Sequence, residues 1–329
     1  MKKRMPPIVV MTFIANSFAK ENTTDLSLNQ IPKVKINQTY EVRVTKDIPY
    51  AEGLHHTSIN SSSYVSQPLK LDIYEPNKKQ KNRPAYMFIH GGSFVNGSKQ
   101  QEQIIHLANY YTSRGWVFIA IDYRLRDDFG TVPQEWMDYA AHVPSDRVAQ
   151  FLAMYPAQRD AKAAMRWLVA NAQAYNINTN YITVGGGSAG AITAISLGVS
   201  NQEDFRDEIS IKKDPSLSTT HLDQRYTIQT IVNYWGSKIA LDAHEKIHGQ
   251  QHFNNKNPPL FIAHGTEDPI VLFSNAEDLK NIYDINKVAA AYYPIEGGEH
   301  GIWDATIDHK RIEALTFDFI VAQQQLILA

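Results

Sequence analysis

A mixed α/β fold, with a mostly parallel central sheet, antiparallel strands at its N-terminal edge and helices on both faces, is what this sequence predicts. Three observations predict it. From residue 86 onward, short and largely apolar runs recur at 86–89, 117–121, 181–184, 228–234, 260–263 and 289–293, the pattern of strands covered on both faces. Ahead of them, 40–45 and 69–74 alternate apolar and polar residues like half-exposed strands. Between the runs lie stretches of helical apolar spacing, such as 161–169 with Asp160 near its start, and 312–328 at the C-terminus.

The chain has 329 residues, of which 43% are hydrophobic, enough for a sizeable core. Its 32 basic and 34 acidic residues nearly cancel, so there is no electrostatic case for nucleic acid or anionic membranes as partners. It has no cysteine, which excludes a disulfide framework. Lys2, Lys3 and Arg4, then an apolar run from Ile8 to Ala15, then Ser17-Phe18-Ala19, follow the order of a secretory signal peptide. The expectation is removal of residues 1–19, a mature chain starting at Lys20 that is secreted or periplasmic, and no stable membrane insertion afterwards. Residues 20–40 are polar and expected to be loosely ordered, and 57–63 form a loop between the edge strands. The longer intervals near 126–156 and 201–226 are the natural cap or pocket-wall insertions of a single domain over 20–329.

The chemistry concentrates at strand ends. Asn180-Tyr181-Ile182-Thr183-Val184-Gly185-Gly186-Gly187-Ser188-Ala189-Gly190-Ala191 reads as a strand, a glycine-flanked serine and a small-residue helix. A serine at such a turn projects its hydroxyl from the sheet edge, and the helix directs N–H groups and partial positive charge at it. Alone, the glycines would also fit a phosphate-binding loop or a tight turn. Three other segments narrow the reading. The strand 84–89 ends in His90-Gly91-Gly92-Ser93-Phe94, which offers unhindered backbone donors; 259–263 leads into His264-Gly265-Thr266-Glu267-Asp268-Pro269; and 289–294 leads into Gly297-Gly298-Glu299-His300-Gly301. Serine needs an imidazole to take its proton, and the imidazole needs a carboxylate to hold its tautomer. Ser188, Asp268 and His300 fill these roles in chain order. Glu267, Asp304 and Asp308 are rivals for the carboxylate, but Asp268 sits in the turn after its own strand, whereas Asp304 is too near His300 in sequence to come from a separate strand end.

With these four motifs in this order, the chain from about Leu69 onward resembles the α/β-hydrolases, and among them the carboxylesterases and hormone-sensitive-lipase-like esterases that carry a His-Gly-Gly loop. The resemblance implies an α/β-hydrolase fold, a serine esterase activity on small-molecule esters without a cofactor, and an oxyanion hole made by the N–H groups of Gly91, Gly92 and Ala189. Ser93 departs from the third glycine that many of these esterases have, which bears on the shape of the acyl pocket. Asp122-Tyr123-Arg124-Leu125 resembles a structural segment of the same enzymes, bracing the loops beneath the site.

Other residues have plainer readings. Phe94, Trp235 and Trp303 flank strand ends near the site and are candidates for the pocket lining, while His90 and His264 read as structural histidines orienting loops. His244-Glu245-Lys246-Ile247-His248 matches the zinc-protease pattern. Gln251 and Asn254 stand where an extended motif would carry more histidine, and no third ligand is evident, so no metal is expected there. The reading is thus a hydrolase of short or compact acyl esters. An amidase or peptidase of the same fold, a non-catalytic exported binding protein and a metalloprotease are the alternatives.

Overall fold

In the computed structural model, which describes residues 30–78 and 80–329, the strands in chain order are β1 (Lys33–Val34), β2 (Val42–His56), β3 (Tyr64–Pro76), β4 (Arg83–Ile89), β5 (Val117–Ile121), β6 (Ile177–Gly187), β7 (Thr230–Tyr234), β8 (Leu260–Gly265), β9 (Ala290–Ile295), β10 (Thr306–Ile307), β11 (Lys310–Arg311) and β12 (Ile327–Leu328). Eight of them form one sheet in the order β2-β3-β5-β4-β6-β7-β8-β9. The first two are antiparallel to each other, and β3 is antiparallel to β5. Every pairing from β5 to β9 is parallel. The apolar runs are thereby explained: β4, β5, β7 and β8 are buried along their whole length.

The helices are α1 (Glu102–Thr112), α2 (Gln134–Tyr139), α3 (Val148–Asn171), α4 (Ala189–Val199), α5 (Ile239–His248), α6 (Ser274–Ile285) and α7 (Ile312–Gln324). They cover both sheet faces, and two apolar cores result. One joins alternate strand residues such as Met87, Ile119 and Val184 to α3, α4, α5 and α6. The other joins Tyr86, Phe118 and Val232 to α1 and α7. This is the α/β-hydrolase architecture. No helix among the described residues is long and apolar enough to cross a membrane, and the segment 1–19 expected to be a signal peptide lies outside the described residues.

Three local expectations are corrected. Residues 33–34 are not loose: β1 pairs in parallel with β12, and Val34 is fully buried. The C-terminal helix stops at Gln324, because Gln325 turns left-handed (φ 53°) and sends the chain into β12. Asp160 does not start a helix. It lies in the middle of α3, which begins at Val148 and continues through Pro156. There Asp160 pairs with Arg124 at 2.5 Å, and both side chains are 2% exposed.

The burial of α3 also explains residues 201–226. Between Phe151 and Leu168 the helix is buried all round, charged residues included. Buried charge is costly without partners. The 201–226 segment provides them: Asp214 pairs with Arg159 at 2.5 Å, Thr220 accepts from Arg166 through its carbonyl (2.7 Å) and hydroxyl (3.0 Å), and the Asn201 carbonyl accepts from Lys162. Burial pulls the Lys162 ammonium down to about 7 despite Asp204 and Glu208 nearby. This segment covers α3 and gives each of its cations Arg159, Lys162 and Arg166 at least one partner, while Arg159 Nη2 and Arg166 Nη1 stay without one.

Candidate active site

The nucleophile candidate sits in the strained turn from β6 into α4. Ser188 stands at φ 55° and ψ −122°, a backbone region costly for any residue with a side chain. The strand and helix can meet only because of what flanks it. A Cβ on Gly186 would lie 2.2 Å from the Gly190 carbonyl carbon, and one on Gly190 would lie 2.0 Å from the Ile89 carbonyl oxygen. Ser188 N–H is held by the Tyr234 carbonyl at 2.9 Å, so the neighbouring strand helps maintain the strained turn.

Ser188 Oγ lies 2.9 Å from His300 Nε2, and His300 Nδ1 lies 2.7 Å from Asp268 Oδ2. With Nδ1–H donating to the carboxylate, Nε2 is left as the acceptor for the serine proton. Asp268 is 3% exposed, and it is held from several sides. Its Oδ1 accepts the N–H groups of Ile270 (2.8 Å) and Val271 (3.0 Å), while His264 Nε2 sits 3.2 Å from Oδ2 and donates to the Val271 carbonyl at 2.7 Å. Burial shifts His264 below the usual histidine value, so it orients the turn as a neutral ring. The rivals Glu267, Asp304 and Asp308 make no hydrogen bond to His300; Asp304 pairs with Arg311 instead.

Facing the serine is the loop after β4. Gly91 passes so near that a Cβ there would lie 2.8 Å from the Gly187 carbonyl and 3.3 Å from Ser188 Cβ. The N–H groups of Gly91, Gly92 and Ala189 meet no acceptor among the described residues. Three free donors beside a serine at a helix N-terminus are the arrangement that stabilises a developing oxyanion. The loop is braced from behind. His90 is 1% exposed, bonds the Gly91 carbonyl through Nδ1 at 2.7 Å and stacks on Tyr123 at 4.3 Å, and Tyr123 O–H donates to the His90 carbonyl at 3.0 Å. Next to it Asp122 binds both the N–H (2.7 Å) and the ammonium (2.9 Å) of the buried Lys99.

Ser188 opens onto a cleft of 440 Å³. Phe94, Tyr139, Val143, Phe151, Met154 and Ile192 give it an apolar wall, and Arg147, Asp242 and Lys246 lie at the same opening. Phe94 lines this cleft. Trp235 and Trp303 do not, a correction with a steric cause. Trp303 packs 3.1 Å from where a Gly187 Cβ would be, Trp235 meets it edge-on at 4.8 Å, and Trp235 lies 6.4 Å from the His300 ring. Both indoles buttress the triad from behind. The wall residues missed from sequence come from the 126–156 interval and α4. The i,i+4 pair Tyr139 and Val143 and the i,i+3 pair Phe151 and Met154 were the available signal. By contrast, residues 201–226 do not border the cleft. His244 and His248 do not line it either; His244 is buried among other polar groups.

Comparison with known proteins points to the same fold. Esterase LipC of Mycobacterium tuberculosis (strain ATCC 25618 / H37Rv) is 22% identical over 258 residues, 72% of this chain and 58% of that protein. Carboxylesterase 3B of Mus musculus is 32% identical over 131 residues, 39% of this chain and 20% of that protein. The chain thus spans well under two thirds of the length of these relatives. Among solved structures, Thermogutta terrifontis esterase 2 phosphonylated by cyclosarin superposes with a TM-score of 0.59 at 20% identity, covering 88% of this chain and 96% of that one. A truncated carbohydrate esterase from gut microbiota gives 0.57 at 18% identity, covering 90% and 100%. The BD-FAE family matches residues 71–143 and 131–283, and with its sheet, turn and triad in place the chain belongs to that family.

Proposed function

We propose that the protein is a serine carboxylic ester hydrolase acting through an acyl-enzyme on esters with short or compact acyl groups. The observation that carries this is the unbroken relay from Ser188 through His300 to Asp268 beside three free backbone donors. As the Ser188 oxygen bonds to the ester carbonyl carbon, its proton passes to His300 Nε2, and the carbonyl electrons move onto the oxygen held by Gly91, Gly92 and Ala189. When that oxyanion collapses, the bond to the alcohol oxygen breaks and His300 gives its proton to the leaving alcohol. Water then repeats the exchange at the acyl-serine carbonyl, its proton going to His300 and from there back to Ser188. The names of the two relatives above, both esterases, and the phosphonyl adduct on the Thermogutta enzyme support the same chemistry. The mechanism calls on no cofactor.

The apolar wall and modest cleft volume support the acyl preference. Each methylene housed adds up to about 0.8 kcal/mol of binding until the wall is reached. With p-nitrophenyl esters of increasing length, kcat/KM is expected to rise, turn over within medium chain length and then fall. A rise continuing through long chains, with a jump at the solubility limit, would overturn the preference. Matched p-nitroanilides test the amidase alternative, and comparable turnover of both series would favour it.

The reading includes export, supported by the charged, apolar, small-residue order of the N-terminus. Terminal sequencing of protein recovered outside the cytoplasm is expected to begin at Lys20; retention of Met1 overturns it.

A further inference from the structure

On α5, His244 and His248 stand one turn apart on the same face, with ring centres 4.5 Å apart. No third ligand follows them in sequence, but the fold brings one from the segment that covers α3. One donor atom each from Glu208, His244 and His248 lies within 4.8 Å of the others. His244 Nε2 already faces Glu208 Oε1 at 3.0 Å. The carboxylate is fixed independently of the histidines, since Oε1 accepts the Phe205 N–H (2.8 Å) and Oε2 accepts the Tyr155 O–H (2.9 Å). Two nitrogens around this group are left over: His248 Nε2 and His252 Nδ1 are buried and have no hydrogen-bond partner.

For His252 the tautomers account for it. If His244 gives its Nε2 proton to Glu208, its Nδ1 must accept. His252 Nε2, 3.1 Å away, must then donate. That leaves His252 Nδ1 as a bare lone pair 3.6 Å from the Asp204 carboxylate, an acceptor facing an acceptor inside the protein.

We propose that Glu208, His244 and His248 form a zinc site. The ion takes the place of the proton at His244 Nε2 and gives the stranded His248 Nε2 a partner. The His244 proton moves to Nδ1 and is donated to His252 Nε2; the His252 proton moves to Nδ1 and is donated to Asp204. Two protons are present before and after, so the exchange is a pair of tautomer shifts with no net release. The result is a metal-bound imidazole backed by hydrogen bonds that end on a carboxylate, the usual support of such ligands. Two imidazoles and a carboxylate suit Zn²⁺, whose bonds of ~2.0–2.1 Å put tetrahedral donors about 3.4 Å apart, close to the existing Glu208–His244 spacing. None of the three ligands lines the cleft, and the ion has no part in the ester chemistry. Its effect is mechanical: it fastens α5, whose Asp242, Ala243 and Lys246 border the cleft, to the segment covering α3.

Zinc chloride added to chelator-stripped protein is expected to leave one retained equivalent after desalting and to raise Tm by about 4 °C at saturation. His248→Ala is expected to weaken zinc binding by at least ~100-fold and abolish the Tm rise. Wild-type protein that retains no zinc, or a variant that binds it as tightly as wild type, overturns the proposal. Cobalt(II) in the wild-type protein decides the matter should the variant not fold. Strong visible bands of a four- or five-coordinate ion support the site, and only the weak bands of the six-coordinate ion refute it.

Discussion

Ser188→Ala is expected to lower kcat for p-nitrophenyl esters by on the order of 10⁴ to 10⁶, since members of a triad act as a unit and their single losses are grossly non-additive. The fold should survive, because the alanine keeps the Cβ and the backbone N–H that bonds the Tyr234 carbonyl. Circular dichroism and Tm close to wild type would verify that the loss is chemical. Treatment of the wild type with a phosphonate should add one adduct, located on Ser188 by peptide mass mapping. An adduct on another serine, or an alanine variant within tenfold of wild type, would contradict the nucleophile assignment.

The second large effect concerns stability. Arg124 gives its backbone N–H and its guanidinium to Asp160, and its remaining arm reaches the Leu54 carbonyl at 3.2 Å. Burial and the facing carboxylate act on Arg124 in opposite senses, and the net result is a cation held more firmly protonated than usual. Asp160→Asn strands that cation where both side chains are 2% exposed, so the expected loss is about 3–5 kcal/mol, read from the shift of the urea midpoint. Replacing both partners together by Met and Leu should recover much of it, because an apolar pair leaves no orphaned charge. A single-variant loss below ~1 kcal/mol would mean that water reaches the guanidinium.

How much could be read from sequence follows from how local each signal is. Ser188, Asp268 and His300 each sit in a short motif immediately after a strand, so a window of about ten residues holds the evidence for each. The sheet was legible for the same reason: a strand covered on both faces has a composition of its own. Helix α3 was only half legible. Its polar residues, Gln158, Arg159, Lys162 and Arg166, look solvent-facing in sequence, and Pro156 looks like a terminator. Their partners lie 35 to 55 residues away, beyond any periodicity argument. Glu208 escaped notice beside His244 in the same way, being a ligand supplied by a different segment. Trp235 and Trp303 show the opposite failure. Both follow strand ends, β7 for Trp235 and β9 for Trp303, but which side of the triad an indole occupies depends on Gly187 lacking a side chain.

The separation between nucleophile and base bears on the making of the protein. Ser188 and His300 are 112 residues apart, and His300 follows β9, the outer strand of the sheet, which among the described residues pairs only with β8. On the ribosome the serine emerges and its turn can form while its base is still untranslated. The nascent chain therefore carries an unactivated alcohol, and the relay to Ser188 is completed only once the last edge of the sheet has docked.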